Sequence, residues 1–199
     1  MADDHTHVQD FFAARAAGWD TRFPDDGPAY AAAVRELGLR PGGTVIDAGC
    51  GTGRALPSLR GAVGPGGTVI GADLTREMLD AALLAGREAC GALLLTDVAR
   101  LPLRTGTVDA VFAAGLLSHL PDPGQGLLEL ARVVRPGGRL ALFHPIGRAA
   151  LAARHGRRLS DDDLRAEPRL TPLLAATGWR LDAYTDEDSR FLALAVRTG

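Results

Sequence analysis

The chain has 199 residues and a net charge of −2, with 46% hydrophobic and 23% charged residues. This length is typical of one globular domain, and the small net charge argues against a protein that binds nucleic acid mainly by neutralising phosphates. No apolar run approaches the roughly 18 residues of a membrane span, and the first residues lack a signal-peptide pattern, which predicts a cytoplasmic location. Two cysteines and no clustered Cys/His spacing predict neither a disulfide framework nor a metal site.

The N-terminal part, residues 1–40, is predicted to form a helical cover. Apolar spacing indicates helices over 7–18 and 28–38, and the segment between them is typical of a loop. Pro28 near the start of the second helix and Gly38 just past its end support these limits.

A regular alternation of strands and helices follows over residues 41–145. The predicted strands are 44–48, 67–72, 92–98, 108–113 and 139–145, and the intervening helices are 54–63, 75–86 and 124–138. Thr75 is expected to cap the second of these helices. This alternation predicts βαβ units and an α/β fold with a mostly parallel sheet. The strands are nearly continuous apolar runs, as expected when helices cover both faces.

The remaining residues, 146–199, break the alternation. We expect short helices, one of them capped by Ser160, and then two strands at 179–185 and 190–198 that form an antiparallel pair. No linker or internal repeat divides the chain, so the sequence predicts one domain over residues 1–199.

The glycine-rich segment VIDAGCGTGR, residues 45–54, is the strongest motif. A buried strand leads into Asp47, and glycines at 49, 51 and 53 precede a helix. Glycines permit positive φ and close approach of a ligand to the backbone. In open α/β sheets, ligands bind outside the carboxyl ends of the strands, where this loop is expected. The segment therefore predicts a nucleotide-like ligand.

Three aspartates narrow the ligand class. The dinucleotide pattern G-x-G-x-x-G is not met, because Arg54 occupies the position of its third glycine. Asp47 would repel a pyrophosphate but suits the amino group of an amino acid. Asp73, at the end of the second strand, suits two ribose hydroxyls, and Asp97, after the third, suits an adenine amine. Together these groups describe S-adenosylmethionine, with an NAD(P)-dependent oxidoreductase as the alternative.

Five segments resemble the class I S-adenosylmethionine-dependent methyltransferases, in particular the small UbiE-like group. In the family's order they are VIDAGCGTG, GADLTREML, TDVARLPL, VDAVFAAGLLSHLPDP and ELARVVRPGGRLALF. The resemblance implies a Rossmann-like three-layer domain with a seven-stranded, mostly parallel sheet and one reversed strand near its end. It also implies S-adenosylmethionine as cofactor and S-adenosylhomocysteine as product.

The resemblance assigns cofactor contacts by position. The methionine end of the cofactor would lie on Asp47 and the glycine loop, whose predicted site residues are Gly49, Cys50, Gly51, Thr52 and Gly53. Asp73 would anchor the ribose. The remaining contacts are Leu74 and Met78 near the adenosine, Asp97 and Val98 at the adenine, and Ala114 and Gly115 beside the sulfonium. Asp97 could instead be a solvated loop residue, and Cys50 is better explained as a small side chain between glycines than as a redox group.

Methyl transfer is an in-line displacement that depends mainly on positioning, and a base is needed only if the acceptor loses a proton. Two histidines are candidate bases: His144 ends the fifth predicted strand, and His119 follows the fourth. For His119 a structural or cofactor-proximal role is favoured. No Asn-Pro-Pro-Tyr type motif, which in the family marks methylation of exocyclic nucleobase or glutamine amides, follows the fourth strand. The expected acceptors are therefore oxygen, carbon or amine nitrogen atoms of small molecules.

The acceptor pocket is expected between the N-terminal aromatic residues and the segment 145–170. The aromatic candidates are Phe11, Phe12, Trp19, Phe23 and Tyr30. The segment also holds the basic residues Arg148, Arg154, His155, Arg157 and Arg158. We expect these to be partly neutralised by the acidic run 161–163 on a solvated face, with an anionic acceptor or a tRNA-like partner as the alternative. A monomer or homodimer is expected, and a non-catalytic partner subunit that kept the fold is the remaining alternative.

Overall fold

One seven-stranded sheet organises the described part of the chain. The computed structural model, which describes residues 2–22 and 26–199, contains strands β1 (Thr44–Ala48), β2 (Thr68–Asp73), β3 (Ala92–Leu95), β4 (Val108–Ala114), β5 (Val134–His144), β6 (Trp179–Glu187) and β7 (Arg190–Arg197). Their order is β3-β2-β1-β4-β5-β7-β6. Strands β1 to β5 are mutually parallel, and β7 runs antiparallel to both of its neighbours. The predicted mostly parallel sheet with one reversed strand is therefore confirmed.

Helices cover both faces of this sheet. The described α-helices are α1 (Ala2–Ala13), α2 (Trp19–Arg22), α3 (Gly27–Leu37), α4 (Leu56–Val63), α5 (Arg76–Leu84), α6 (Pro123–Val133), α7 (Arg148–Arg154) and α8 (Glu167–Ala176). Val45 packs with α3 and α4 on one face, whereas its neighbour Ile46 packs with α6 and α8 on the other. This double burial explains the continuous apolar run of β1. Within the described ranges, no helix combines the length and apolar character that a membrane crossing requires.

The predicted first helix, 7–18, was wrong in its limits. Helix α1 ends at Ala13, a 3₁₀ turn follows at Ala16–Gly18, and the predicted loop begins with the short helix α2. The last turn of α1 tightens, because the Arg15 N–H donates to the Phe12 carbonyl at 3.0 Å. An alanine-rich run gives no signal for such a break. The predicted helix 28–38 differs from α3 by one residue at each end.

The junction between α6 and β5 also differs from the prediction. The helix ends at Val133 and the strand begins at Val134, so Pro136, Gly137 and Gly138 lie within β5 rather than closing the helix. The pairing of β4 with β5 shifts register here, and a Cβ at Gly138 would lie 2.7 Å from the Asp109 carbonyl oxygen. A bulge with close backbone contact therefore explains both the proline and the glycines.

The prediction was also wrong for the start of the helix after residue 160 and for the end of β3. Ser160 caps no helix: its hydroxyl accepts from the Asp162 N–H at 3.1 Å in a turn, and α8 begins only at Glu167 with a proline in its first turn. That proline, Pro168, is the better start signal because its missing N–H needs no helical partner there. Strand β3 ends at Leu95 rather than at Val98, since Asp97 begins a 3₁₀ turn over Val98–Arg100.

Candidate functional site

A cleft of about 1150 Å³ opens at the carboxyl ends of β1, β2, β4 and β5. Typical small-molecule sites occupy roughly 300–1,000 Å³, so this cleft has room for two reactants. Fourteen of the predicted site residues line it: Asp47, Gly49, Cys50, Gly51, Thr52, Asp73, Leu74, Met78, Asp97, Val98, Ala114, Gly115, His119 and His144. The fifteenth, Gly53, does not, because its Cβ position faces Leu56 and Arg87 at 2.8 and 3.2 Å.

The glycine loop adopts a conformation that other residues rarely take. Gly49, Gly51 and Gly53 have φ of 68°, 54° and 78°. A Cβ at Gly49 would lie 2.9 Å from Leu116 Cδ1. The Gly49 and Cys50 N–H groups both donate to the Ala72 carbonyl, at 2.8 and 3.0 Å. The loop is thereby fixed against β2 with little room for side chains.

Two carboxyl groups face this loop from β1 and β2. Asp47 is 2% exposed, and its burial, with the charge of Asp73, raises its pKa to about 8. Burial also raises the pKa of Asp73, and the backbone hydrogen bonds it accepts oppose that rise. Its Oδ2 accepts from the Gly51 N–H at 2.7 Å and its Oδ1 from the Thr75 N–H at 2.8 Å. Thr75 occupies the N-cap of α5, but its side chain makes no capping bond to the helix, contrary to the prediction.

Asp97 lies where the chain leaves β3. Its Oδ1 accepts from the Ala99 N–H at 2.8 Å and so starts the 3₁₀ turn that carries the buried Val98. The same carboxyl group lines the cleft. The turn therefore holds Asp97 and Val98 together at the outer end of the cleft, beyond Asp73.

The N-terminal cover is joined to the site by contacts that the sequence analysis missed. The Thr52 hydroxyl donates to Asp20 Oδ1 at 2.6 Å, and Arg87 forms an ion pair with Asp20 Oδ2 at 2.7 Å. The Gln9 side-chain amide donates to the Leu74 carbonyl at 3.0 Å. These partners are separated by 32 to 67 residues in the chain, so local pattern gives no signal for them.

Aromatic side chains of the cover line the same cleft. Phe11, Phe12, Trp19 and Tyr30 all do so, whereas Phe23 lies outside the described residues. The Phe12 ring packs edge-on against His119, with centroids 4.9 Å apart. Tyr30 packs against Phe143 at 5.0 Å, and burial raises its pKa, with the Asp47 charge as a further cause. Arg54 lies over the Tyr30 ring and pairs with Asp26 at 3.2 Å.

The two candidate bases lie beside each other at the ends of β4 and β5. His144 Nδ1 lies 2.8 Å from the Ile146 carbonyl oxygen and 3.1 Å from its nitrogen. When Nδ1 carries the proton and donates to that carbonyl, Nε2 is the basic nitrogen. Burial lowers the pKa of both histidines below 6.5, and the charge of Arg165 adds to this lowering, whereas the hydrogen bond with Ile146 partly offsets it at His144. Both rings are therefore neutral at physiological pH.

Comparison with known proteins agrees with this geometry. Residues 46–142 match the family of methyltransferase domains. An uncharacterised 37.1 kDa protein of Streptomyces fradiae is 41% identical over 55% of this chain and 32% of its own. The ubiquinone/menaquinone biosynthesis C-methyltransferase UbiE of Syntrophotalea carbinolica is 40% identical over 56% of this chain and 48% of its own. A crystal structure of an S-adenosylmethionine-dependent methyltransferase from Aquifex aeolicus aligns with a TM-score of 0.69 and 26% identity, over 85% of this chain and 89% of that one.

The matched part of the chain, residues 46–142, is a methyltransferase domain of the class I S-adenosylmethionine-dependent type. The matches span only 32% and 48% of the length of these two curated relatives. S-adenosylmethionine is thus the cofactor of this methyltransferase family, in agreement with the sequence prediction and against the nicotinamide alternative.

The basic segment is partly neutralised by the acidic run, as predicted. Asp163 pairs with Arg148 at 3.4 Å and with Arg165 at 2.9 Å, but Asp162 pairs with Arg169, which lies outside the cleft. Arg154, His155, Arg157 and Arg158 line the cleft together with Arg148. The segment is therefore a wall of the site and not only a solvated face.

Proposed function

We propose that this protein transfers a methyl group from S-adenosylmethionine to an oxygen, carbon or nitrogen atom of a small organic acceptor. The main support for the proposal is that both reactants can share one cleft of about 1150 Å³. It holds the predicted cofactor residues at one end and a second region lined by aromatic and basic side chains at the other. Two reactants that share one cleft can be aligned for direct transfer.

The residues present fit the cofactor group by group. Both influences on Asp47, its burial and the charge of Asp73, raise its pKa, so an ammonium group beside it would restore the carboxylate. Each oxygen of Asp73 accepts one backbone N–H and keeps a lone pair for a ribose hydroxyl. The glycine loop leaves space for the methionine end. When bound, S-adenosylmethionine supplies a methyl group activated by a positively charged sulfur.

The acceptor region is enclosed from two sides. Phe11, Phe12 and Trp19 of the N-terminal cover line one side, and Ile146 and Leu151 line the other. Such surfaces favour a molecule with an apolar or aromatic body and exclude water from it. The similarity to UbiE, which is named as a C-methyltransferase of ubiquinone and menaquinone biosynthesis, supports an acceptor with such an apolar or aromatic body.

His144 is the residue we assign to proton removal where the acceptor requires it. In the tautomer in which Nδ1 donates to the Ile146 carbonyl, 2.8 Å away, the ring is fixed and Nε2 is the base. Its Cδ2 lies 4.0 Å from the Cβ position of Gly115, at the expected sulfonium wall. His119 packs against Phe12, and we assign it a structural role that holds the cover against the site.

The test is turnover with a panel of acceptors. The purified protein is incubated with S-adenosylmethionine and phenols, enols, amines and carboxylic acids of similar size, and S-adenosylhomocysteine and methylated product are measured by mass spectrometry. We expect both products in equal amounts with at least one class, and about 10- to 100-fold less of each with Asp73→Ala when S-adenosylmethionine is well below saturation. Tight binding of S-adenosylhomocysteine without turnover of any class would favour the non-catalytic partner subunit instead.

A further inference from the structure

Charge is divided between the two ends of the cleft. Its cofactor end carries the carboxyl groups of Asp47, Asp73 and Asp97. The opposite wall is formed by the N-terminal cover and residues 148–165. It is lined by the arginines Arg15, Arg22, Arg148, Arg154, Arg157, Arg158 and Arg165, and by the aspartates Asp26 and Asp163. Because the whole chain has a net charge of −2, this local excess of positive charge does not follow from composition.

Acidic neighbours already neutralise part of the positive charge of this wall. Arg148 and Arg165 share Asp163, and Arg148 also lies 3.7 Å from Asp186. These two arginines therefore hold the wall together. In contrast, no carboxylate of the described residues lies within ion-pair distance of the guanidinium groups of Arg157 and Arg158.

A defined turn places Arg157 and Arg158 at the rim. Gly156 follows His155, the C-cap of α7, and has φ of 65°. Its N–H donates to the Ala153 carbonyl and the Arg157 N–H donates to the Ala152 carbonyl, each at 2.9 Å. This pattern is a Schellman-type helix end, which needs glycine at the left-handed position. The helix end thus fixes the backbone from which the Arg157 and Arg158 side chains extend.

The positive charge of this wall reaches the reaction centre. Arg165 is one cause of the lowered pKa of both His119 and His144, after burial. A negatively charged group bound at the wall would offset this field. The wall and the histidines therefore belong to one electrostatic environment.

We infer that the acceptor carries a carboxylate or phosphate group, which Arg157 and Arg158 bind while its methyl-accepting atom lies beside Gly115 and His144. This inference rests on the proposed function, because it concerns the second reactant of the same cleft. Guanidinium groups match the planar oxygen pairs of carboxylates and phosphates. A small molecule is favoured over nucleic acid because the basic wall faces a cleft shared with aromatic side chains, and the chain is acidic overall.

The test compares matched probes on the complex with S-adenosylhomocysteine. Phenyl phosphate, benzoate and the neutral benzyl alcohol are titrated by calorimetry into wild type, the double variant Arg157→Gln/Arg158→Gln, and Arg76→Gln. Arg76 is an exposed arginine of α5 that does not line the cleft. Comparison of phenyl phosphate with benzoate shows whether the wall binds a phosphate or a carboxylate group more tightly.

We expect at least one anionic probe to bind wild type and Arg76→Gln about tenfold more tightly than the double variant. Benzyl alcohol should bind all three proteins equally. Equal affinity of anionic and neutral probes at millimolar concentration, or no effect of the double variant, would overturn the inference. So would a single-stranded RNA oligonucleotide that displaces the anions with higher affinity. If wild type fails to bind S-adenosylhomocysteine itself, the proposed function fails; if it binds but does not distinguish the anions, only this inference fails.

Discussion

Asp73 raises the proton affinity of Asp47 across two neighbouring strands. Asp47 lies in β1 opposite Gly71 of β2, and Asp73 ends β2 two residues further on. Burial is the larger cause and the Asp73 charge the smaller cause of the Asp47 pKa of about 8. In the absence of ligand, Asp47 is therefore mostly protonated at neutral pH, and a ligand ammonium group must displace that proton.

This relationship predicts pH-dependent cofactor binding. The affinity for S-adenosylhomocysteine should rise with pH by up to about tenfold per pH unit below pH 8, because only the carboxylate form pairs with the ammonium group. Binding at neutral pH should release a proton, measured by calorimetry in buffers of different ionisation enthalpy. Asp47→Asn should bind roughly 10- to 100-fold more weakly at pH 8 and without this pH dependence. If the affinity for S-adenosylhomocysteine changed equally with pH in wild type and in Asp47→Asn, Asp47 would not be the partner of the ammonium group.

The conformation of Gly49 leads to a stability prediction. Gly49→Ala places a Cβ at φ of 68° and 2.9 Å from Leu116 Cδ1, which should cost about 1–2 kcal/mol or more and weaken cofactor binding. Since 1 kcal/mol corresponds to roughly 2–4 °C in a domain of this size, a thermal melt detects it. The control is Gly61→Ala in α4, where a Cβ would meet nothing within 4 Å. It should stabilise by about 0.5–1 kcal/mol, and a loss of stability at both positions would contradict this account of the loop.

The link between the cover and the glycine loop should control cofactor release. Asp20→Asn removes the ion pair with Arg87, whose side chain is 19% exposed. We expect S-adenosylhomocysteine to dissociate about fivefold faster, which corresponds to about 1 kcal/mol, as measured by stopped-flow fluorescence. Asp80→Asn removes the exposed pair with Arg76 and serves as control. An unchanged dissociation rate in Asp20→Asn would mean that the cover does not retain the cofactor.

If His144 is the base, His144→Ala should lower turnover of a phenolic acceptor by roughly 10²-fold or more with little change in cofactor affinity. Because burial lowers the His144 pKa, wild-type turnover should decline only below pH 6.5, and the variant should lack this decline. His7→Ala, an exposed position of α1, is the control. Turnover that stays equal across neutral pH in His144→Ala and wild type would exclude His144 as base.

The parts of the fold that could be predicted are those specified by local pattern. The strand at Val45 and Ile46 is an apolar run covered on both faces, and the glycine loop after Asp47 has a fixed spacing. What sequence could not give depends on distant partners. Asp20 contacts Thr52 and Arg87 only because the cover folds back over the loop. Likewise, Asp162 pairs with Arg169, and Arg157 and Arg158 remain at the cleft, although the acidic run begins only three residues after Arg158.

Calorimetric titration of S-adenosylhomocysteine into wild type and Asp73→Ala at pH 8 tests whether the cleft binds the cofactor through Asp73. Asp73 is the residue that joins the glycine loop, through Gly51, to the predicted ribose position, so it should contribute roughly 1.5–3 kcal/mol to binding. We predict one saturable site in wild type, with an affinity about 10- to 100-fold lower in the variant while a thermal melt shows that the variant is folded. No binding by wild type, or equal affinity in both proteins, would contradict the account.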